Sequence, residues 1–203
     1  MKDILEPEKG WRIATQKIKI PEEQSLLFKT IGKTAQLMGR KEVPDVFKLL
    51  FINKRLFWAW LYFASRLMPY GRLSGREREL IILRVAWLCR CRYEWGQHIE
   101  IGSRNGLEDI DIVKVSEGVR SFPEGKERVL IQACDDIIAH QQLAEVTVTA
   151  LKELYTDKML IEITMLIGHY QMLAGVINSS GLVLEASAEE IMTKFNQRIA
   201  NQQ

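Results

Sequence analysis

Residues 74–107 read SGRERELIILRVAWLCRCRYEWGQHIEIGSRNGL, and the fold is decided here. Ser74 stands three residues before Glu77, the spacing of a capping box, and Glu79 adds a second acid to the opening turn. From Leu80 to Leu88 every residue except Arg84 is apolar. A helix apolar nearly all round must be buried on most sides, inside a core or between subunits. Cys89, Cys91, Tyr93, Glu94, Trp95 and His98 then follow in one short burst. Asn105-Gly106-Leu107 ends the stretch as a helix stop, with Gly106 supplying the left-handed residue.

Spacing determines which of these groups meet. On one continuous helix Cys91, Glu94 and His98 fall at i, i+3 and i+7 and share a face. Cys89 and Cys91 would point roughly 160° apart on that helix. A disulfide needs converging Cβ vectors, so a Cys-Arg-Cys bridge requires a helix break near Arg90. No Gly or Pro marks one there, and the expectation is an unbroken helix with unpaired thiols.

Each residue also has an ordinary reading. Glu94 and His98 at i, i+4 could be a surface pair worth about 0.3 kcal/mol. The cysteines could be small core hydrophobes. What favours chemistry is coincidence: a carboxylate, an imidazole and a thiol on one stripe, beside Tyr93 and Trp95, after a wholly apolar segment. Half-buried Glu and His groups acquire environment-tuned proton affinities, as acid–base sites require.

RERELIILRVAWL followed by YEWGQHIEIGSRNGL resembles the carboxymuconolactone decarboxylase family, within the alkyl hydroperoxidase D-like superfamily. The likeness extends upstream through PDVFKLLFINKRLFWAWLYFASRLMPYGRLSGRERE. Downstream it continues through KERVLIQACDDI and GHYQMLAGVINSSGL, so it covers roughly residues 24 to 190. It implies an all-helical bundle assembled as trimers or hexamers, with sites near subunit interfaces. The peroxidase branch of the superfamily carries a CxxC, a His four residues after the second Cys, and a Glu on the preceding helix. Residue by residue, Glu79 matches that Glu, Cys91 the first Cys and His98 the His. The second Cys falls on Glu94, and the relay His between the cysteines falls on Tyr93. A carboxylate moves protons but forms neither sulfenate nor disulfide. The YEWxxH form is similar to the decarboxylase-like branch, which needs no dithiol.

The remaining chain is consistent with this. With 203 residues, 47% of them hydrophobic, it can build one compact domain. Its net charge of +2 comes from scattered basic residues, so nucleic acid is not an expected partner. Three cysteines make no disulfide framework, and the charged start MKDILEPEKG lacks the pattern of a signal peptide. A reducing, cytoplasmic setting is expected. Leu56 to Met68, the most apolar run, is too short to span a bilayer and carries Arg66, so no membrane partner is expected.

Residues 1–23 lack a period and read as an arm that lies on its own core or on a neighbouring subunit; residues 24–203 form the helical domain. Helical spacing predicts Glu23 to Met38, Val46 to Leu50, and an aromatic helix Leu56 to Met68 after a cap at Asn53. Further helices are predicted at Glu108 to Gly118, Lys126 to His140, Thr147 to Tyr155, Met159 to Ser179 behind an Asp157 cap, and Ala188 to Ile199. No strand signal is present, so the fold class is all-α. Long helices apolar nearly all round exceed what one small bundle buries, which predicts a homo-oligomer. Tyr170 and Gly181-Leu182 echo the spacing of Trp95 and Gly106-Leu107, placing His169 on Glu94, but long buried helices ending in Gly look alike.

Three functions follow as expectations. The first is a decarboxylase-like enzyme acting on a small carboxylate or lactone substrate by proton transfer, with no cofactor and no metal. In it His98 is the base, Glu94 or Glu79 the acid and orienting partner, Tyr93 a donor to developing negative charge, and Trp95 a substrate wall. Glu94, His98 and His169 have the right ligand types for a metal, but no spacing fixes them together. The second is a thiol peroxidase of peroxiredoxin type, with Cys91 as nucleophile, His98 and Glu79 as activators, and Cys89 resolving. The third is a non-catalytic helical oligomer that binds a small ligand.

Overall fold

The computed structural model describes residues 5–15, 17–20 and 43–201, and every regular element among them is helical. In chain order these are α1 (Asp45–Phe51), α2 (Lys54–Leu67), α3 (Gly75–Leu88), α4 (Arg92–Arg104) and α5 (Asp109–Glu117). A 3-10 turn at Val119–Ser121 leads to α6 (Lys126–His140), α7 (Glu145–Leu154), α8 (Asp157–Ser180) and α9 (Ala186–Ala200). The expected helix Glu23 to Met38 lies outside the described residues.

The capping box forms as its spacing predicts. Glu77 N–H donates to the Ser74 hydroxyl at 3.2 Å, and Ser74 N–H donates to the Glu77 carboxylate at 3.0 Å. A cap of this kind contributes about 1 kcal/mol. Burial of Leu80, Ile81, Ile82, Leu83 and Val85 outweighs it, at roughly 1.5–3 kcal/mol for each side chain. Helix α3 is therefore the axis of the fold, with α4, α5, α6 and α8 packed around it.

Two cores result. Ile81, Ile82 and Val85 join Cys91, Tyr93, Leu130, Cys134, Ile163, Leu166, Ile167 and Tyr170. Leu80, Leu83 and Ala86 join Trp95, Ile99, Ile112, Ile131 and Phe195. Arg84 is the one charge within the apolar run of residues 80–88, and Asp135 matches it. Its guanidinium holds Asp135 at 2.7 and 3.0 Å and donates to the Val115 carbonyl at 2.7 Å.

Two expectations need correction. Asp157 does not cap α8; Thr156 does, accepting from the Met159 N–H. More consequentially, the central stretch is two helices rather than one. Arg90 sits in the left-handed region at φ 54°. Its N–H donates to the Trp87 carbonyl at 3.0 Å and the Cys91 N–H to the Ala86 carbonyl at 2.8 Å. That pair of bonds is a Schellman ending, normally built on glycine. Here the arm holds it in place. Arg12 N–H donates to the Arg90 carbonyl at 3.0 Å, and the Arg90 guanidinium donates to the Lys9 carbonyl at 2.7 Å. Trp11 then packs on Trp87 and Trp95, with ring centroids 5.5 and 6.1 Å away. The described part of the arm thus lies on its own core, and backbone strain at Arg90 is balanced by tertiary contacts absent from any local pattern.

Helix α8 is 24 residues long and apolar enough by length and composition to cross a membrane. In this fold one face carries Ile163, Leu166, Ile167, Tyr170, Leu173, Ala174 and Ile177 into the first core. The opposite face leaves Ile161, Met165, Met172 and Val176 exposed.

Candidate active site

The break at Arg90 makes Cys91 the residue that precedes α4, and Tyr93, Glu94, Trp95 and His98 occupy its first two turns. Consecutive helical positions face different ways, so these residues separate between the two cores. Cys91 and Tyr93 enter the first core and Trp95 the second.

The firmest geometry is Glu79 with His98. Glu79 on α3 is wholly buried and His98 on α4 is 6% exposed. Glu79 Oε2 lies 2.7 Å from His98 Nδ1. A carboxylate on Nδ1 places that ring proton and leaves Nε2 as the basic nitrogen. Glu79 Oε1 accepts from the adjacent Arg78 Nε at 3.2 Å, so a buried guanidinium balances the carboxylate's charge. His98 pairs across helices with Glu79 and not along its own helix with Glu94, which corrects the surface-pair reading. The far side of the His98 ring meets Tyr170 edge to face, with centroids 5.3 Å apart.

Glu94 is 2% exposed, and neither carboxyl oxygen has a hydrogen-bond partner among the described residues. Its proton affinity is raised well above the ordinary carboxylate value. Burial is the dominant cause, opposed in part by contact with the Cys91 thiol. A place in the first turn of α4 favours the anion by about 0.3–1 kcal/mol, but stripping water from a carboxylate costs several kcal/mol, so burial wins. Burial thus favours the neutral acid over the carboxylate at Glu94.

The cysteines are unpaired. With the helix broken at Arg90, the geometric objection to a Cys89–Cys91 bridge no longer holds. Electrostatics nevertheless opposes thiolate chemistry. Cys91 is fully buried, and burial first and the neighbouring Glu94 second push its thiol far up. Burial likewise raises Cys89 to about 11. A thiol is a nucleophile only as thiolate, and both environments disfavour it. Cys134 is core, as its place on α6 implies.

Two expected roles are corrected by contacts. The Tyr93 hydroxyl donates to Glu185 at 2.6 Å and accepts from the Val46 N–H at 3.2 Å. It ties α1 and the entry to α9 onto α4, and its proton is already engaged. Trp95 packs against Trp87 at 5.0 Å in the second core, wholly buried, and is not a wall beside His98. The metal set weighed from ligand types does not gather: among the described residues no three His, Cys, Asp or Glu side chains do so.

Sequence reading singled out the aromatic helix but did not join it to His169 and Tyr170. His169 and Tyr170 on α8 stand beside Trp60 and Phe63 on α2. His169 lies parallel to Trp60 at 6.1 Å and 16°, and 5.4 Å from Phe63. Tyr170 meets His169 edge to face at 5.3 Å, so it separates His169 from His98. Burial alone lowers His169 to about 4, which keeps the imidazole neutral. The aromatic helix and the GHY triplet were visible in the sequence, but no local signal joins them.

The arrangement of helices coincides with that of known proteins. The family model for the carboxymuconolactone decarboxylase family matches residues 54–144, from the start of α2 to the loop before α7. An uncharacterised peroxidase-related protein from Silicibacter sp. TM1040 superposes with a TM-score of 0.76 at 18% identity, over 91% of this chain and 97% of its own. An alkylhydroperoxidase AhpD core protein from Ralstonia eutropha JMP134 gives 0.74 at 19% identity, over 85% and 93%. The debrominase Bmp8, as a cysteine-to-alanine variant with 2,3,4-tribromopyrrole, gives 0.74 at 13% identity, over 90% and 99%. No curated protein matches by sequence. The chain has the AhpD-like helical fold, and its residues 54–144 are similar to the carboxymuconolactone decarboxylase family.

Proposed function

We propose that this protein is a carboxymuconolactone decarboxylase-like enzyme acting on a small carboxylate or lactone by proton transfer. The family supports decarboxylase-like and peroxidase-like roles alike. The observation that favours proton chemistry is Glu94, a buried carboxyl whose neutral form burial favours, at the position where the peroxidase pattern has a thiol. In a decarboxylation the bond between the carboxylate carbon and its neighbour breaks and CO2 leaves. The freed electron pair delocalises into a conjugated lactone carbonyl, and a proton returns to carbon. The Glu94 carboxyl supplies that proton, and His98, oriented by Glu79, accepts or returns one through Nε2. Arg78 Nε donates to Glu79 at 3.2 Å and helps to fix that carboxyl group in place.

The test is CO2 release from carboxymuconolactone by the wild type, a His98→Gln variant and a variant with all three cysteines replaced by alanine. Loss of about 10²–10⁴ in kcat in His98→Gln, with full turnover in the cysteine-free protein, is expected. Peroxide consumption by the wild type, lost in Cys91→Ser and kept in His98→Ala, would show thiol chemistry and overturn the proposal.

A further inference from the structure

Buried polar groups in folded proteins are nearly always hydrogen-bonded, so the ones left open mark places where something else binds. Among the described residues, Trp60 Nε1, His169 Nδ1 and both Glu94 oxygens are buried without a partner, as are Trp11 Nε1, Trp95 Nε1 and Thr147 Oγ1; of these, Trp60 packs on the first core and His169 on Trp60 and Phe63. Trp60 Nε1 and His169 Nδ1 belong to rings that lie parallel, 6.1 Å apart, one on α2 and one on α8. Two unmatched nitrogens on one aromatic stack are costly to keep apolar, and ordinary core packing gives no reason for them. The indole N–H can only donate, and a neutral imidazole donates from Nδ1 in one tautomer. Glu94, when neutral, also donates. Two ring donors without an acceptor call for a ligand that offers one, and the flat rings of Trp60, His169 and Phe63 call for a flat body.

We propose that Trp60 Nε1 and His169 Nδ1 seat a carbonyl or carboxylate oxygen of a planar, unsaturated small molecule whose ring lies against Phe63 and Tyr170. The inference deepens the proton-transfer reading and rests on it: Tyr170 meets both His169 and His98, so a single ring stands between the seat and the proton carriers. Trp60 and His169 are binding residues here, and His98 and Glu94 remain the proton carriers. Specificity follows directly. A saturated ring loses the stacking, and an alcohol in place of the acid loses the acceptor.

The test uses 2-furoate as probe on the full chain, followed by proton–nitrogen correlation spectra and calorimetry. The Trp60 indole signal is identified by its absence in Trp60→Phe. Saturable downfield movement of that signal is expected, with tetrahydro-2-furoate and furan-2-methanol binding at least tenfold more weakly. Trp60→Phe and His169→Phe keep a ring in place and each weaken 2-furoate at least tenfold, while His98→Gln keeps its affinity within threefold. An indole signal that stays put at saturation, no binding of 2-furoate, or unchanged affinity in both phenylalanine variants would overturn the seat. The indole signal of the wild type decides the matter even where a variant folds poorly. Binding through this pair without turnover of carboxymuconolactone would sink the catalytic reading alone. Turnover with an unmoved Trp60 signal would sink the seat alone.

Discussion

Replacing His169 with phenylalanine should remove an acid sensitivity from the folded state. The imidazole is held among Trp60, Phe63 and Tyr170 with no carboxylate beside it, and burial lowers it from 6.5 to about 4. Between those values the unfolded chain binds a proton that the folded chain refuses, so folded stability falls as pH falls. Its contribution is complete above the unfolded value of 6.5 and is lost as pH drops through about 4. At about 1.4 kcal/mol per unit the full difference is about 3.5 kcal/mol, of which about 2 is already lost at pH 5. Phenylalanine preserves the ring contacts and cannot titrate. Urea denaturation of both proteins at pH 7.5 and pH 5.0 therefore measures the effect as a difference of differences, in which all other titrating groups cancel. The wild type should lose about 2 kcal/mol more than His169→Phe between the two conditions. Equal losses, or a His169 proton resonance titrating near 6.5, would refute the burial that the neutral imidazole depends on.

Glu94 should behave with the opposite sign. Its raised proton affinity means that folded stability is complete below the ordinary carboxylate range and falls as pH rises toward the folded value. Glu94→Gln should accordingly denature at higher urea than the wild type at pH 9, with the advantage shrinking toward pH 4; an advantage that grows toward acid would contradict it. Cys91 should resist iodoacetamide at pH 8 in the folded protein and react once urea unfolds it, because it is fully buried and its thiolate is disfavoured. Mass spectrometry reads the label, and rapid native labelling of Cys91 would count against the described site. Self-association is expected through the exposed stripe Ile161, Met165, Met172 and Val176, which recurs at helical spacing along α8. Light scattering should give a multiple of the chain mass, reduced in Met172→Lys, and a single-chain mass for the wild type would defeat it.

The fold was largely legible because its signals are local. The capping box at Ser74, the Asn53 cap, Gly106 in the left-handed region and the all-apolar run from Leu80 each act within a turn or two, and the structure shows them. The break at Arg90 was illegible for the converse reason. Its left-handed residue is neither Gly nor Asn, and it is held by Lys9 and Arg12, distant in sequence. The site divides along the same line. Glu79 and His98 could be singled out, but spacing along one helix paired His98 with Glu94, whereas the crossing of α3 and α4 pairs it with Glu79.

By itself, the order of residues determined that the chain is helical, where most helices begin and end, and that carboxylates, an imidazole and thiols fall within one short stretch. Periodicity and caps carry that information because they depend on neighbours within about one turn. Tertiary structure alone decided that Tyr93 is a tether, that Trp95 faces the other core, and that Glu94 is left without a partner. It also brought Trp60 to His169 and Tyr170 to His98. Protonation is set by burial and by partners from other helices, and neither exists until the helices have packed.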